Sequence, residues 1–229
     1  MKTVIITGAS GNLGTAVTKE FLKKNYRVLA TVSNENAASD FEVHPNLDIH
    51  VVNLTNENET YDFVQKAIQK YEKIDSALLL VGGFAMGALA DTNGEDLQKQ
   101  IALNFETAYY VVRPLFEHLT KNKSGKIILI GARPALNPAQ GKGLIAYSLS
   151  KSLLFKLAEF LNEAARGMNV SVSVVVPSTL DTPLNRKSMP EVNPDNWVKP
   201  AEIAETLEFL VSDKSNALRE TVLKVYNNA

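Results

Sequence analysis

Seven short runs rich in β-branched and aliphatic residues punctuate the 229-residue chain, at positions 3–7, 28–32, 48–53, 77–81, 126–130, 170–176 and 221–225. Between them lie segments with apolar residues at helical spacing, 13–24, 60–71, 97–120, 147–166 and 201–210, the first with Val17, Phe21 and Leu22 on one face. Each run is a plausible buried strand. Strands that alternate with helices need crossover connections, which are right-handed and lay helices over both faces of the sheet. The pattern therefore predicts an α/β fold, a doubly wound, mostly parallel seven-stranded sheet with helices on both faces, in three layers. No linker, internal repeat or low-complexity tract interrupts it, and the polar stretch 33–45 reads as a loop with a small helix, so residues 1–229 are expected to form one domain.

Charge and cysteine content remove several function classes. With 24 basic and 25 acidic side chains and a net charge of −1, the chain lacks the basic signature of a nucleic-acid binder, and a small-molecule partner is expected instead. The absence of cysteine excludes thiol catalysis, disulfide scaffolding and cysteine-ligated metal. His44, His50 and His118 are scattered without metal-ligand spacing, so no metal site is expected. Neither a signal-peptide core nor an apolar span of membrane length stands out, which predicts a cytoplasmic protein without a membrane partner.

The first apolar run ends in Thr7-Gly8-Ala9-Ser10-Gly11-Asn12-Leu13-Gly14, a T-G-x-x-G-x-x-G turn at a strand-to-helix junction. A helix N-terminus presents bare backbone N–H groups and a positive dipole end, which favour a pyrophosphate. Gly8 permits the tight turn, Gly11 lets backbone approach phosphate, and Gly14 lets helix and strand pack closely. This is the turn of a Rossmann-like dinucleotide site, and Ser10, Asn12 and Leu13 belong to the same cradle. Such sites carry an acid about 20 residues on, at the end of strand two, for the adenosine ribose. Here that place is Val32, followed by Ser33 and Asn34. Without an acid to repel a 2′-phosphate, the sequence does not select NAD and leans toward NADP. Asn53 and Leu54 after strand three are positioned to contact adenine, with a plain turn start as the other reading of Asn53.

A second constellation is Tyr147-Ser148-Leu149-Ser150-Lys151, which places Tyr147 and Lys151 on one helix face. An ammonium beside a phenol is expected to lower the phenol pKa from about 10 and to hold a cofactor ribose hydroxyl. The pair would then act as a proton donor near neutral pH.

Taken with Asn104 on the long helical segment and Pro177 followed by Thr182, these motifs resemble the short-chain dehydrogenase/reductase family over the whole chain. More narrowly, Gly82-Gly83-Phe84, the string from Gly131 to Leu136, and the string from Leu180 to Pro190 look like the dihydropteridine reductases. The resemblance implies Tyr147, Lys151 and Asn104 as catalytic residues, Asn104 positioning a water against Lys151. It implies that Gly82, Gly83, Pro177, Thr179 and Thr182 join the cofactor site, and that Phe84, Ala132 and Leu180 face the substrate. Most members set a serine after strand five to polarise a carbonyl; from Gly131 to Ala146 this chain has neither Ser nor Thr, and Ala132 stands as the counterpart. Reduction of a flat conjugated ring such as a quinonoid dihydropterin by NADH or NADPH is the implied activity. A carbonyl or quinone reductase, or a cofactor sensor without turnover, are the alternatives.

Three departures from that narrower pattern stand out. Phe84 replaces a tryptophan, Val32 replaces the ribose-binding aspartate, and the tail that members usually carry past the last strand is expected to be missing after Asn227-Asn228-Ala229. The proline-rich segment 177–200 is a candidate lid, with Arg186 and Lys187 either solvated loop charges or partners of a cofactor phosphate, and Trp197 an anchor in the core rather than a stacking platform. The apolar sides of helices 97–120 and 153–161 imply a homodimer, with a tetramer as the larger alternative.

Overall fold

A computed structural model describes residues 1–228, so Ala229 and what was expected of it lie outside the described residues. The strands are β1 (Thr3–Thr7), β2 (Arg27–Val32), β3 (Leu47–Val51), β4 (Ser76–Leu79), β5 (Ser124–Ile130), β6 (Asn169–Pro177) and β7 (Val222–Val225). All pair in parallel, in the order β3-β2-β1-β4-β5-β6-β7. The order reverses between β1 and β4, and at such a switch point the crossovers leave in opposite directions and open a crevice beyond the strand ends. The architecture is the expected Rossmann-like sheet with helices on both faces.

Period-two burial explains why the strands read as solid apolar runs. In β1, Val4 and Ile6 face one layer and Ile5 the other, all fully buried. One layer packs α1 (Asn12–Lys23) and α10 (Pro200–Val211) through Val17, Phe21, Ile203 and Leu207. The opposite layer packs α3 (Glu57–Tyr71), α5 (Thr107–Lys121) and α8 (Ile145–Ala164) through Phe63, Val64, Val111, Leu115 and Leu154. The polar stretch carries the small helix α2 (Glu35–Ser39), capped by Asn34.

The expected single helix over 97–120 is instead α4 (Gly94–Ile101), a π-helical turn (Ala102–Glu106) and α5. It begins earlier because Asn93 and Asp96 form a capping box, an N-x-x-D signal that sets the start. The π turn opens where Asn104 lies, the kind of interruption that recurs at functional sites. Strand β4 also ends two residues before the expected boundary, since the Leu80 N–H is drawn to the Thr7 hydroxyl at 3.0 Å.

Segment 177–200 is ordered rather than open loop. It holds α9 (Pro183–Ser188), whose N-cap is Thr182, and a short parallel bridge joins Leu180 to Val198. Trp197 is 2% exposed and anchors it, as expected. Among the described residues no helix is long and apolar enough to cross a membrane.

Candidate active site

The Gly8–Gly14 turn sits at the switch point. Gly8 adopts a φ of +64°, a left-handed conformation that a side chain would strain. Gly11 caps α1 with no side chain, leaving its first-turn N–H groups without a side-chain cap. Ser10, Gly11 and Asn12 are exposed, Leu13 is half-buried and Gly14 is buried against the turn. A Cβ on Gly14 would lie 2.1 Å from the Gly8 carbonyl oxygen, so only glycine lets helix and strand approach this closely.

Beside the turn opens a cavity of about 330 Å³, lined by Gly8, Ser10, Gly11, Ser33, Asn53 and Leu54 together with residues of β2, of the segment that follows β4 and of the π turn. Its lining holds neither an acid nor a cation. Thr31, 1% exposed, also borders this cavity, and its buried hydroxyl has no hydrogen-bond partner. Val32 is 2% exposed, and the groups beyond it are partly engaged: Asn34 donates to the Ser33 hydroxyl at 3.1 Å and accepts from the Ala37 N–H at 2.9 Å. Asn53 starts a turn, its carbonyl oxygen accepting from the Thr55 N–H and hydroxyl at 3.2 and 2.7 Å, while it also borders the cavity.

The second half of the site is built where β4, the π turn and α8 meet. Asn104 is 1% exposed, and its side chain bonds Gly83 in both directions, accepting from the Gly83 N–H at 2.9 Å and donating to the Gly83 carbonyl at 3.0 Å. A Cβ on Gly82 would fall 2.7 Å from Asn104 Oδ1 and 2.9 Å from Lys151 Nζ, so both groups converge on this bare glycine. Lys151 is 5% exposed and donates to the Ile130 carbonyl at 2.9 Å. Phe84 is 63% exposed, and its ring stands edge-on to that of Tyr147, centroids 5.3 Å apart.

The phenol pKa moves in the direction opposite to that expected, and Lys151 is not the cause. Burial pushes Tyr147 up to about 12 and Lys151 down to about 8. The ammonium is directed to the Ile130 carbonyl, so desolvation governs the phenol. Arg186, open to either a solvated or a phosphate-binding reading, has an acid beside it. It forms a two-pronged ion pair with Asp181 at 2.6 and 2.8 Å, the geometry a guanidinium favours with a carboxylate.

The remaining candidates lie along the strand ends. Ala132 follows β5, is 4% exposed and precedes the one-turn helix α6 (Arg133–Leu136). Pro177 ends β6; the Thr179 carbonyl accepts from Val198 at 3.0 Å; the Thr182 hydroxyl caps α9; and Leu180 is half-buried against the α10-side core. Two residues not singled out in the sequence join Asn104: Gln100 and Ser150, whose oxygens accept from its amide at 2.9 and 3.1 Å. Ser150 lies inside the Tyr147–Lys151 string, and Gln100 stands one helical turn before Asn104, so both were within reach of spacing arguments. Among the described residues no group of three or more His, Cys, Asp or Glu side chains is placed to hold a metal.

Comparison with known proteins agrees with this geometry. The profile of the family described as short chain dehydrogenase matches residues 2–193. Dihydropteridine reductase of Dictyostelium discoideum is 30% identical over 228 residues, 97% of this chain and 94% of that protein. The 3-oxoacyl-acyl-carrier-protein reductase of Thermotoga maritima is 26% identical over 239 residues, 98% of this chain and 96% of that protein. Among solved structures, ElxO with NADP bound superposes with a TM-score of 0.88 at 22% identity, over 98% of this chain and 96% of that one. A short-chain dehydrogenase/reductase family oxidoreductase from Burkholderia thailandensis gives 0.87 at 25% identity, over 99% and 91%.

Proposed function

Because the chain belongs to the short-chain dehydrogenase family, we propose that it is an NAD(P)H-dependent reductase of a flat, conjugated ring, a quinonoid dihydropterin being the preferred substrate. The observation that carries the reading is the convergence of Asn104 Oδ1 and Lys151 Nζ on Gly82, beside the Phe84–Tyr147 ring pair and next to the cavity. The residues present fit a dinucleotide. The glycine cradle, the unpartnered Thr31 hydroxyl and a buried ammonium with spare N–H groups are what phosphate, adenosine and ribose hydroxyls require. Gly8–Gly14 would hold the pyrophosphate, the cavity the adenosine, and Lys151 the nicotinamide ribose. When bound, the dinucleotide supplies two electrons and a hydrogen as hydride.

The side chains do the rest. Tyr147 gives one proton to the reduced ring, which balances the hydride. Phe84 offers an exposed aromatic face on which a flat ring can stack. Ala132 supplies no hydroxyl to a developing oxyanion, a loss of about 10²- to 10³-fold where such donors have been removed, so ketones are poor substrates. The likeness to the Dictyostelium dihydropteridine reductase supports the same choice. Tyr109, Leu149, Leu153 and Phe160, exposed on α5 and α8, suit a homodimer seam between copies of this pair of helices.

Two variants test the reading. Ala132→Ser is expected to raise turnover of a ketone such as a 3-oxoacyl thioester about tenfold or more, leaving dihydropterin turnover within about twofold. A wild-type protein that already reduces the thioester as fast as the pterin would overturn the ring assignment. The cavity carries no charge to choose between cofactors, so NADH and NADPH should both serve, with NADPH somewhat favoured. Val32→Asp is expected to weaken NADPH relative to NADH about tenfold or more, because a carboxylate there repels a 2′-phosphate. An unchanged ratio of kcat/KM for the two would place the ribose elsewhere.

A further inference from the structure

Four hydrogen bonds close a loop through the site. Ser150, 0% exposed, donates its hydroxyl to the Tyr147 carbonyl at 2.8 Å and accepts from the Asn104 amide at 3.1 Å. Asn104 in turn grips both polar groups of the Gly83 backbone. Gly83 is joined covalently to Phe84, whose ring rests on Tyr147. The loop thus runs from the Tyr147 backbone through Ser150, Asn104 and Gly83 to Phe84 and returns to the Tyr147 ring. Gln100 ties the same amide at 2.9 Å, so two N–H bonds are shared among three acceptors: Gly83, Gln100 and Ser150.

We propose that Ser150 is a positioning residue for the reduction, setting the separation of Phe84 and Tyr147 by bridging the Tyr147 turn of α8 to Asn104. The proposal rests on the reductase reading above. Asn104 sits in a π turn, where the helical hydrogen-bond ladder is interrupted, so its side chain needs an external anchor to hold Gly83 in place. Ser150 is that anchor on the α8 side. The strand exit carrying Gly82 and Gly83 has no regular pairing of its own beyond Leu79, and the Asn104 carboxamide substitutes for it. Loss of the Ser150 hydroxyl leaves the two N–H groups of Asn104 to Gly83 and Gln100 and unties the carboxamide from α8, so the Gly83 exit can shift relative to the Tyr147 turn and Phe84 and Tyr147 drift from the geometry that a stacked ring and its proton donor require. A displacement of about 1 Å at such a point costs roughly 10²-fold in rate, and a loosened contact less.

The test is Ser150→Ala, which keeps a good helix former in α8. Expected is a fall in kcat with dihydropterin of about tenfold or more, with the Kd for NADPH within about twofold of wild type. Amide hydrogen exchange at Gly83 is expected to rise about tenfold, a readout that needs no turnover. An unchanged kcat with unchanged exchange overturns the proposal. So does a fall in NADPH affinity equal to the fall in kcat, which marks a general disturbance of the fold. If wild type turns over no ring substrate yet Gly83 exchange rises in the variant, the bridge stands and the reductase reading fails. Should Ser150→Ala not fold, Gln100→Leu removes the other anchor of the same amide and is read by the same three measurements.

Discussion

Tyr147→Phe should lower kcat by about 10²- to 10⁴-fold, the usual contribution of a positioned general acid. The ring, its packing against Phe84 and the helix are all kept, so NADPH binding should change little. The pH profile adds a second signature. Burial holds the phenol at about 12, so Tyr147 remains protonated across the working range, and it holds the Lys151 ammonium at about 8. Lys151 is charged below that value and neutral above it. Its ammonium is a stronger donor to a ribose hydroxyl than the neutral amine, so the Kd for NADPH should be lowest below pH 8 and rise as pH rises through it. Tyr147→Phe keeps Lys151 and should show the same rise. An NADPH affinity that does not change across this range would remove Lys151 from the cofactor site.

Gly14→Ala is the largest expected structural effect. The added Cβ would meet the Gly8 carbonyl oxygen at 2.1 Å and Ala9 backbone at 2.7 and 2.8 Å, none of which can swing aside as a side-chain tip can. The first turn of α1 must move away from β1, at a cost of about 1–3 kcal/mol or more for an overpacked site. The same movement misplaces the N–H groups offered to a pyrophosphate. Losing one or two charge-assisted bonds should raise the Kd for NADPH about 10- to 10²-fold or more. Gly94 is the matched control, since a Cβ there meets nothing within 4 Å and it sits at the start of α4. Gly94→Ala should leave melting temperature and binding near wild type. Equal losses in the two variants would contradict the steric account.

Much of this was legible because the fold's main signals are local. Seven β-branched runs become seven strands since both faces of the central strands are covered, and the polar positions that interrupt the runs lie on the edge strands β3 and β7 or are small or bonded ones such as Ser171, Ser173 and Lys126. The glycine turn was legible because its requirement is backbone geometry, and Gly8 and Gly14 meet it. The split of 97–120 was hidden: apolar spacing continues across the π turn, and only the Asn93–Asp96 box marks the true start. The phenol pKa was misjudged because spacing placed Lys151 on the right face without showing that its ammonium turns to Ile130. The partner of Arg186 was hidden for a similar reason, its acid standing five positions back across the bend that leads into α9. Spacing names which residues share a face, while burial and partners decide what each does there.

The central claim is that reduced nicotinamide and a flat ring react in the space between Gly82, Phe84 and Tyr147. The most direct test is the rate of NADPH and NADH oxidation by freshly generated quinonoid dihydropterin, with an aldehyde and a simple quinone alongside. Predicted is pterin-dependent oxidation well above that with the aldehyde, supported by both cofactors and lowered about 10²-fold or more in Tyr147→Phe. Clear cofactor binding with no oxidation by any of the three, or aldehyde turnover that exceeds the pterin's, would contradict it.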